Sequence, residues 1–172
     1  MDNKENKKEK TIKQIVGELG EHFAANYLVS RHFIIKEKNY RKKWGELDII
    51  AGKDGLLHFV EVKSMVTRGF VSRVTSLGKL LWHVSHETRS TLNVDSCNHV
   101  TRETHNDYFP EENIHLWKQR RMARAIQTYL LEKRISEDQE WQIDVIAIFL
   151  DFSKKHVIIR YLDDVVFDIE VA

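Results

Sequence analysis

The stretch Gly45-Glu46-Leu47-Asp48-Ile49-Ile50-Ala51, then Gly52-Lys53-Asp54-Gly55, then Leu56-Leu57-His58-Phe59-Val60-Glu61-Val62-Lys63, decides how this chain reads. Two apolar runs flank Asp54-Gly55, a hairpin turn signal. With a tight turn around Lys53-Asp54, Gly52 is expected opposite Gly55, Ile50 opposite Leu57, Asp48 opposite Phe59 and Glu46 opposite Glu61. Side chains alternate along a strand, so Glu46, Asp48, Glu61 and Lys63 fall on one face, at the end away from the turn. A slip of one residue would reverse the faces.

Such a face is costly, because like charges opposite one another destabilise a sheet. It also carries Ile50, Leu57 and Phe59, while the other face carries Leu47, Ile49, Val60 and Val62. Strands apolar on both faces are central and covered. Three carboxylates in a half-buried place need a compensating cation, and one lysine cannot neutralise them. A divalent metal could. The alternative is a solvated acidic patch with Lys63 as ion-pair partner, and two apolar faces argue against it.

The remaining composition sets bounds. At 172 residues and 42% hydrophobic content, one domain with a core is expected. A net charge of +1 confines any basic footprint to a local surface. A lone cysteine, Cys97, excludes an internal disulfide and fits a reducing compartment. The Lys/Glu/Asn-rich start does not read as a secretory signal. No apolar run approaches the roughly 20 residues that span a bilayer. A cytoplasmic protein without membrane attachment is the expectation.

Along the chain, residues 1–10 read as a disordered charged tail and 11–172 as a single domain. Residues 11–30 predict a helix with an apolar stripe of Ile12, Val16, Leu19, Phe23 and Tyr27. Beside it run Gly17, Gly20, Glu21, Ala24 and Leu28, a stripe whose glycines and alanine would let the helix sit close to a sheet. Residues 33–40 predict a first strand, and Arg41-Lys42-Lys43 a basic link that could hold a phosphate, although an ordinary solvated turn is the favoured reading for Lys42 and Lys43. Residues 64–113 form an irregular insertion, with a short helix expected near Leu77 to Val84. Its His83, His86, Cys97 and His99 are zinc ligands by type, although Cys-x-His is an unusual spacing.

Residues 111–133 predict the clearest helix, burying Leu116, Met122, Ala123, Ile126, Tyr129 and Leu130. Lys118, Arg120, Arg121 and Arg124 line its other side with no acid between them, which suits phosphate contact. Strands are expected over 141–150 and 156–161, with Asp144 partnering a nearby base. Val165 to Val171 alternates like an edge strand. The order of elements suggests a mixed α/β sandwich.

The motifs also resemble a known pattern. Asp48, twelve residues, then Glu61-Val62-Lys63 is similar to the PD-(D/E)XK nuclease signature. Its surroundings are more specific. Gly20-Glu21 with Ala24 and Tyr27-Leu28, Asn39-x-Arg41, Gly45 to Ala51 and Phe59 to Lys63 resemble the YraN family of predicted endonucleases, which are similar to archaeal Holliday junction resolvases. Ile114, Lys118, Arg121, Ala125, Tyr129-Leu130 and Ile143-Asp144-Val145-Ile146 fit the family's later helix and strand. The departures are the long insertion, Met65, and Gln142 where a base is usual.

The resemblance implies a restriction-endonuclease-like α/β fold, a mixed β-sheet flanked by α-helices, with the insertion after the Glu-x-Lys strand. It implies metal-dependent phosphodiester hydrolysis, with nucleic acid as partner, DNA before RNA, and branched DNA as one substrate. Asp48 and Glu61 would hold Mg²⁺ or Mn²⁺, with the Val62 carbonyl and waters completing an oxygen shell at about 2.1 Å. Lys63 would orient a water or stabilise developing charge, and Glu21 would bind a water of that shell or a second ion. Lys118, Arg121 and Arg41 would grip the backbone. Glu46 would support the metal or pair with Arg41. Relatives that act on junctions dimerise, which implies a homodimer. The rival reading is a non-catalytic module on the same fold, binding nucleic acid or protein through the basic helix and the insertion.

Overall fold

The structure, a computed structural model, describes residues 10–68, 83–88 and 116–166, with only the backbone of 68 and 83–88. Cys97 and His99, the side chains of His83 and His86, residues 1–9, most of 64–113 and residues 167–172 lie outside the described residues.

Asp54-Gly55 builds the central hairpin. Both residues have positive φ, 49° and 82°, which is what a two-residue type I′ turn requires. The turn therefore centres on Asp54-Gly55 and not on Lys53-Asp54. Lys53 pairs with Leu56, Gly52 with Leu57, Ile50 with Phe59 and Ile49 with Val60. This corrects the predicted register by two residues. An even shift by itself leaves the predicted faces in place, because the strand period is two, and within the paired stretch Ile49 and Val60 lie opposite in facing to Ile50 and Phe59 as expected.

Strands β1 (Ile34–Lys42), β2 (Gly45–Lys53) and β3 (Leu56–Arg68) form an antiparallel meander. Lys42 pairs with Gly45, so Lys43-Trp44 makes the first turn and Arg41 and Lys42 belong to β1. β4 (His83–Thr88) is a strand where His83 and Val84 were expected to end a helix. After a second helix come β5 (Trp141–Asp151) and β6 (His156–Leu162), in one six-stranded sheet ordered β1-β2-β3-β5-β6-β4. β5 is parallel to β3 and antiparallel to β6, and β4 is parallel to β6. Central β5 buries Ile143 through Ile148 without interruption, as a strand covered on both faces must. Val165 and Val166 follow outside any strand, correcting that part of the predicted edge strand.

One helix covers each face. α1 (Ile12–Ser30) starts at a Thr11–Gln14 capping box, which satisfies otherwise unpaired N–H groups. Its Val16, Ala24, Ala25, Tyr27 and Leu28 pack on Ile49, Ala51, Val60, Ile146 and Ile148. The small-residue strip is the deeper one, and Ile12 is exposed. A Cβ on Gly20 would lie 1.7 Å from Ser64 Oγ, so only glycine lets α1 come this close to β3. Gly17 meets nothing nearby, so close approach does not explain it.

α2 (Leu116–Glu132) covers the other face with Met122, Ala125, Ile126 and Tyr129 against Ile50, Leu57, Phe59 and Ile143. Leu116 is exposed and Ala123 only half-buried, correcting the predicted stripe. Gly45 lets α2 settle, since a Cβ there would lie 2.3 Å from the Arg121 carbonyl oxygen. Leu47 was expected beside Ile49, yet it packs with Tyr40 in the α2 cluster. The alternation of β2 is thus interrupted at Asp48.

Candidate functional site

The interruption at Asp48 makes the site. The β2–β3 ladder extends from the turn only as far as Ile49 and Val60. Beyond it the Val62 N–H donates to Asp48 Oδ2 at 2.8 Å. A side chain takes the place of a ladder bond where the two strands part.

Glu61 follows Val60 and is 1% exposed. Its Oε1 pairs with Lys63 Nζ at 3.2 Å and, closer, with Lys118 Nζ from α2. Its Oε2 is buried and has no partner among the described residues. Asp48 lies beside it, half-buried. Burial, then the Glu61 charge, push the Asp48 carboxyl up to about 7, and Glu21 adds to that rise. The Val62 N–H and Lys118 pull in the other direction. Burial alone would lower the Lys118 amine, but Glu61 and Asp48 raise it above its ordinary value.

Glu21 enters from α1. Its Oε2 accepts from Asn39 Nδ2 at 2.8 Å. Asn39 has φ of 55° and stands opposite Asp48, between the pairs Lys38–Ile49 and Tyr40–Leu47. Asparagine tolerates this left-handed backbone better than most residues. Arg41 Nη2 donates to Asn39 Oδ1 at 3.2 Å, and Arg41 Nε lies 3.6 Å from Glu46 Oε2. Glu21, Asn39, Arg41 and Glu46 thus form a chain beside the buried pair.

The predicted residues therefore divide. Asp48, Glu61 and Lys63 come together, with Glu21 near enough to influence Asp48. Glu46 takes the Arg41 partner foreseen for it. Lys118 differs from expectation: it turns inward onto Glu61 instead of lying on the outer, phosphate-facing side. The signal was legible, because Lys118 sits four residues before buried Met122 and seven before Ala125, in line with the buried stripe. Arg121 stays outside, donating from Nε to the Trp44 carbonyl at 3.1 Å and lying over the Trp117 ring. Lys42 pairs with Glu132 at 2.6 Å and is no solvated turn residue.

Asp144 belongs to a separate network. It is fully buried and accepts from Gln142 Nε2, Tyr161 OH and the Asp164 N–H, with His58 Nδ1 at 2.7 Å. Burial alone would raise its carboxyl, but the His58 contact and these donors hold it below the ordinary range. Its expected basic partner is His58, which the sequence reading did not single out.

Among the described residues, no three His, Cys, Asp or Glu side chains converge tightly enough to share one ion. What fits a hard cation is narrower: the Asp48–Glu61 pair, with the unpartnered Glu61 Oε2. Oxygen donors of this type suit magnesium, which is commonly held by one or two carboxylates plus waters.

Fold and site together define a mixed α/β protein with a buried carboxylate–lysine cluster where its central hairpin opens. Residues 20–80 match the model of the uncharacterised protein family UPF0102. Over 50 residues the chain is 62% identical to a UPF0102 protein of Campylobacter fetus subsp. fetus, covering 29% of this chain and 45% of that protein. It is 51% identical over 49 residues to one from a Nitratiruptor species, covering 28% and 44%. The chain thus spans less than half the length of these two relatives. A longer alignment, 151 residues at 29% identity, reaches a UPF0102 protein of Campylobacter jejuni subsp. jejuni and covers 88% of this chain and 93% of that protein. The segment matched by the family model holds Glu21, Asp48, Glu61 and Lys63, and Lys118 lies beyond it. No helix among the described residues is long and apolar enough to cross a membrane.

Proposed function

We propose that the protein is a metal-dependent endonuclease of the PD-(D/E)XK type, akin to the YraN family. The observation that carries this reading is Glu61: a fully buried carboxylate beside Asp48, with one oxygen held by lysines and the other without a partner among the described residues. Asp48 and Glu61 would hold Mg²⁺ or Mn²⁺. When bound, such an ion polarises a phosphate oxygen and acidifies water.

The chain's own residues do the rest. Lys63, fixed by Glu61, orients the attacking water by donating to it and then stabilises charge growing on the phosphate. The water oxygen bonds to phosphorus and gives up a proton to bulk water, the bond to the leaving oxygen breaks, and that oxygen takes up a proton from bulk water. Glu21, tied to Asn39, holds water on the α1 side. Lys118 balances Glu61 and, one turn away on the same helix, Arg121 offers a fixed guanidinium to the backbone. These contacts supply affinity without sequence preference. DNA is the favoured substrate, and the protein acts in the cytoplasm.

The Lys118–Glu61 ion pair favours a second reading, because it offsets the buried charge without any metal. On that reading the fold is a non-catalytic module that binds nucleic acid or protein. A cleavage panel of branched, flapped, single-stranded and duplex substrates in Mg²⁺ or Mn²⁺ separates the two. The enzyme reading expects cleavage that Lys63→Ala and Asp48→Ala abolish while circular dichroism is unchanged. It also expects calorimetric Mn²⁺ binding that Glu61→Gln removes. A wild type that shows neither cleavage nor metal binding overturns it.

A further inference from the structure

We infer that Trp117 is a stacking platform for one unpaired base, so that the protein engages single-stranded nucleic acid next to its carboxylates. The inference rests on the proposed nuclease reading and deepens it by naming the substrate class. Trp117 is 59% exposed on the first turn of α2, an uncommon place for a large ring that contributes nothing to the core. The ring is held in place. The Arg121 guanidinium lies 5.6 Å from its centroid, and Arg121 Nε is anchored on the Trp44 carbonyl. With the guanidinium over one face of the indole, a base would stack on the other, a sequence-tolerant contact.

Position links this surface to the chemistry. Glu46, Trp117, Lys118, Arg121 and Met122 line a shallow cleft of about 90 Å³. Lys118, the residue after Trp117, reaches Glu61. A base on Trp117 would therefore sit on a cleft that Lys118 also lines. Arg120 and Arg124 are exposed on the same helix, which lacks any acid from Lys118 to Arg124. The charge suits a polyanion, and an exposed indole suits bases that are not already stacked within a duplex.

The test compares wild type, Trp117→Ala and Trp117→Phe for binding a labelled oligothymidylate and a duplex of equal length by fluorescence anisotropy in EDTA. Cleavage of both in Mn²⁺ is measured in parallel. Trp117→Ala is expected to weaken single-strand binding by about 5- to 150-fold, the range for one stacked base. Duplex binding should change by less than about 2-fold, and Trp117→Phe should recover most of the loss because a ring remains. If the wild type binds and cleaves but Trp117→Ala alters neither affinity, or both equally, the platform is overturned and the nuclease reading stands. If the wild type neither binds nor cleaves nucleic acid, both fall, and the exposed indole belongs to a protein contact.

Discussion

Replacing Asp48 by asparagine should make the metal-free protein more stable, and only above an acidic threshold. The folded carboxyl is raised from 3.8 to about 7, by burial and by Glu61. A raised carboxylate binds its proton more tightly in the folded state. Below about pH 4 both states are protonated and the stabilising contribution is complete. Between about pH 4 and about pH 7 the unfolded chain ionises first, and stability falls by about 1.4 kcal/mol per pH unit. Above the folded value both states are charged and the loss stays constant. A span of about three units gives a ceiling of about 4 kcal/mol, lowered by any movement of Lys118 or entry of water. Asparagine cannot ionise, yet its carbonyl can still accept the Val62 N–H. Urea unfolding of both proteins, in EDTA at half-unit steps from about pH 4 to about pH 8, gives the difference directly. The variant's advantage should grow by several kcal/mol up to about pH 7 and then level off. A difference independent of pH would refute the reasoning. Adding Mg²⁺ should then stabilise the wild type above about pH 7 and leave the variant unmoved, because only the wild type can offer both carboxylates.

Gly20→Ala should destabilise by about 1–3 kcal/mol despite alanine's better helix propensity. Its Cβ would overlap Ser64 Oγ at 1.7 Å, so adding Ser64→Gly should recover most of the loss in the same thermal melt. Asp144→Asn should cost about 1–3 kcal/mol by weakening the acceptor shared by several buried donors. Because that carboxyl is held low, its contribution should disappear as pH falls through the folded value, measurable as a wild-type stability lost in acid and absent in the variant. Gly45→Ala should displace α2 from β2, since its Cβ would lie 2.3 Å from the Arg121 carbonyl. Stability should fall by about 1–3 kcal/mol, with any cleavage lowered alongside because Lys118 and Arg121 ride on that helix.

Much was legible because short-range chemistry determined it. The turn signal at Asp54-Gly55 and the apolar runs of β2, β3 and β5 each act within a few residues. So did the common face of Asp48, Glu61 and Lys63: a register error of two leaves a period-two pattern intact. The sequence alone could not settle where the hairpin stops pairing. That depends on Asp48 reaching across to the Val62 N–H, and on Asn39 taking a left-handed backbone opposite it. The spacing of Lys118 from Met122 and Ala125 hints at an inward side chain but does not name its partner. The residue stands in a basic run that suggests a solvent face, and only the seating of α2 on Gly45 turns its amine onto Glu61. Composition and periodicity determined which residues would be apolar, charged or small. Only tertiary structure decided which charges meet, because the buried Glu61 carboxylate is balanced by Lys118, 57 positions away, a separation that no local pattern sets.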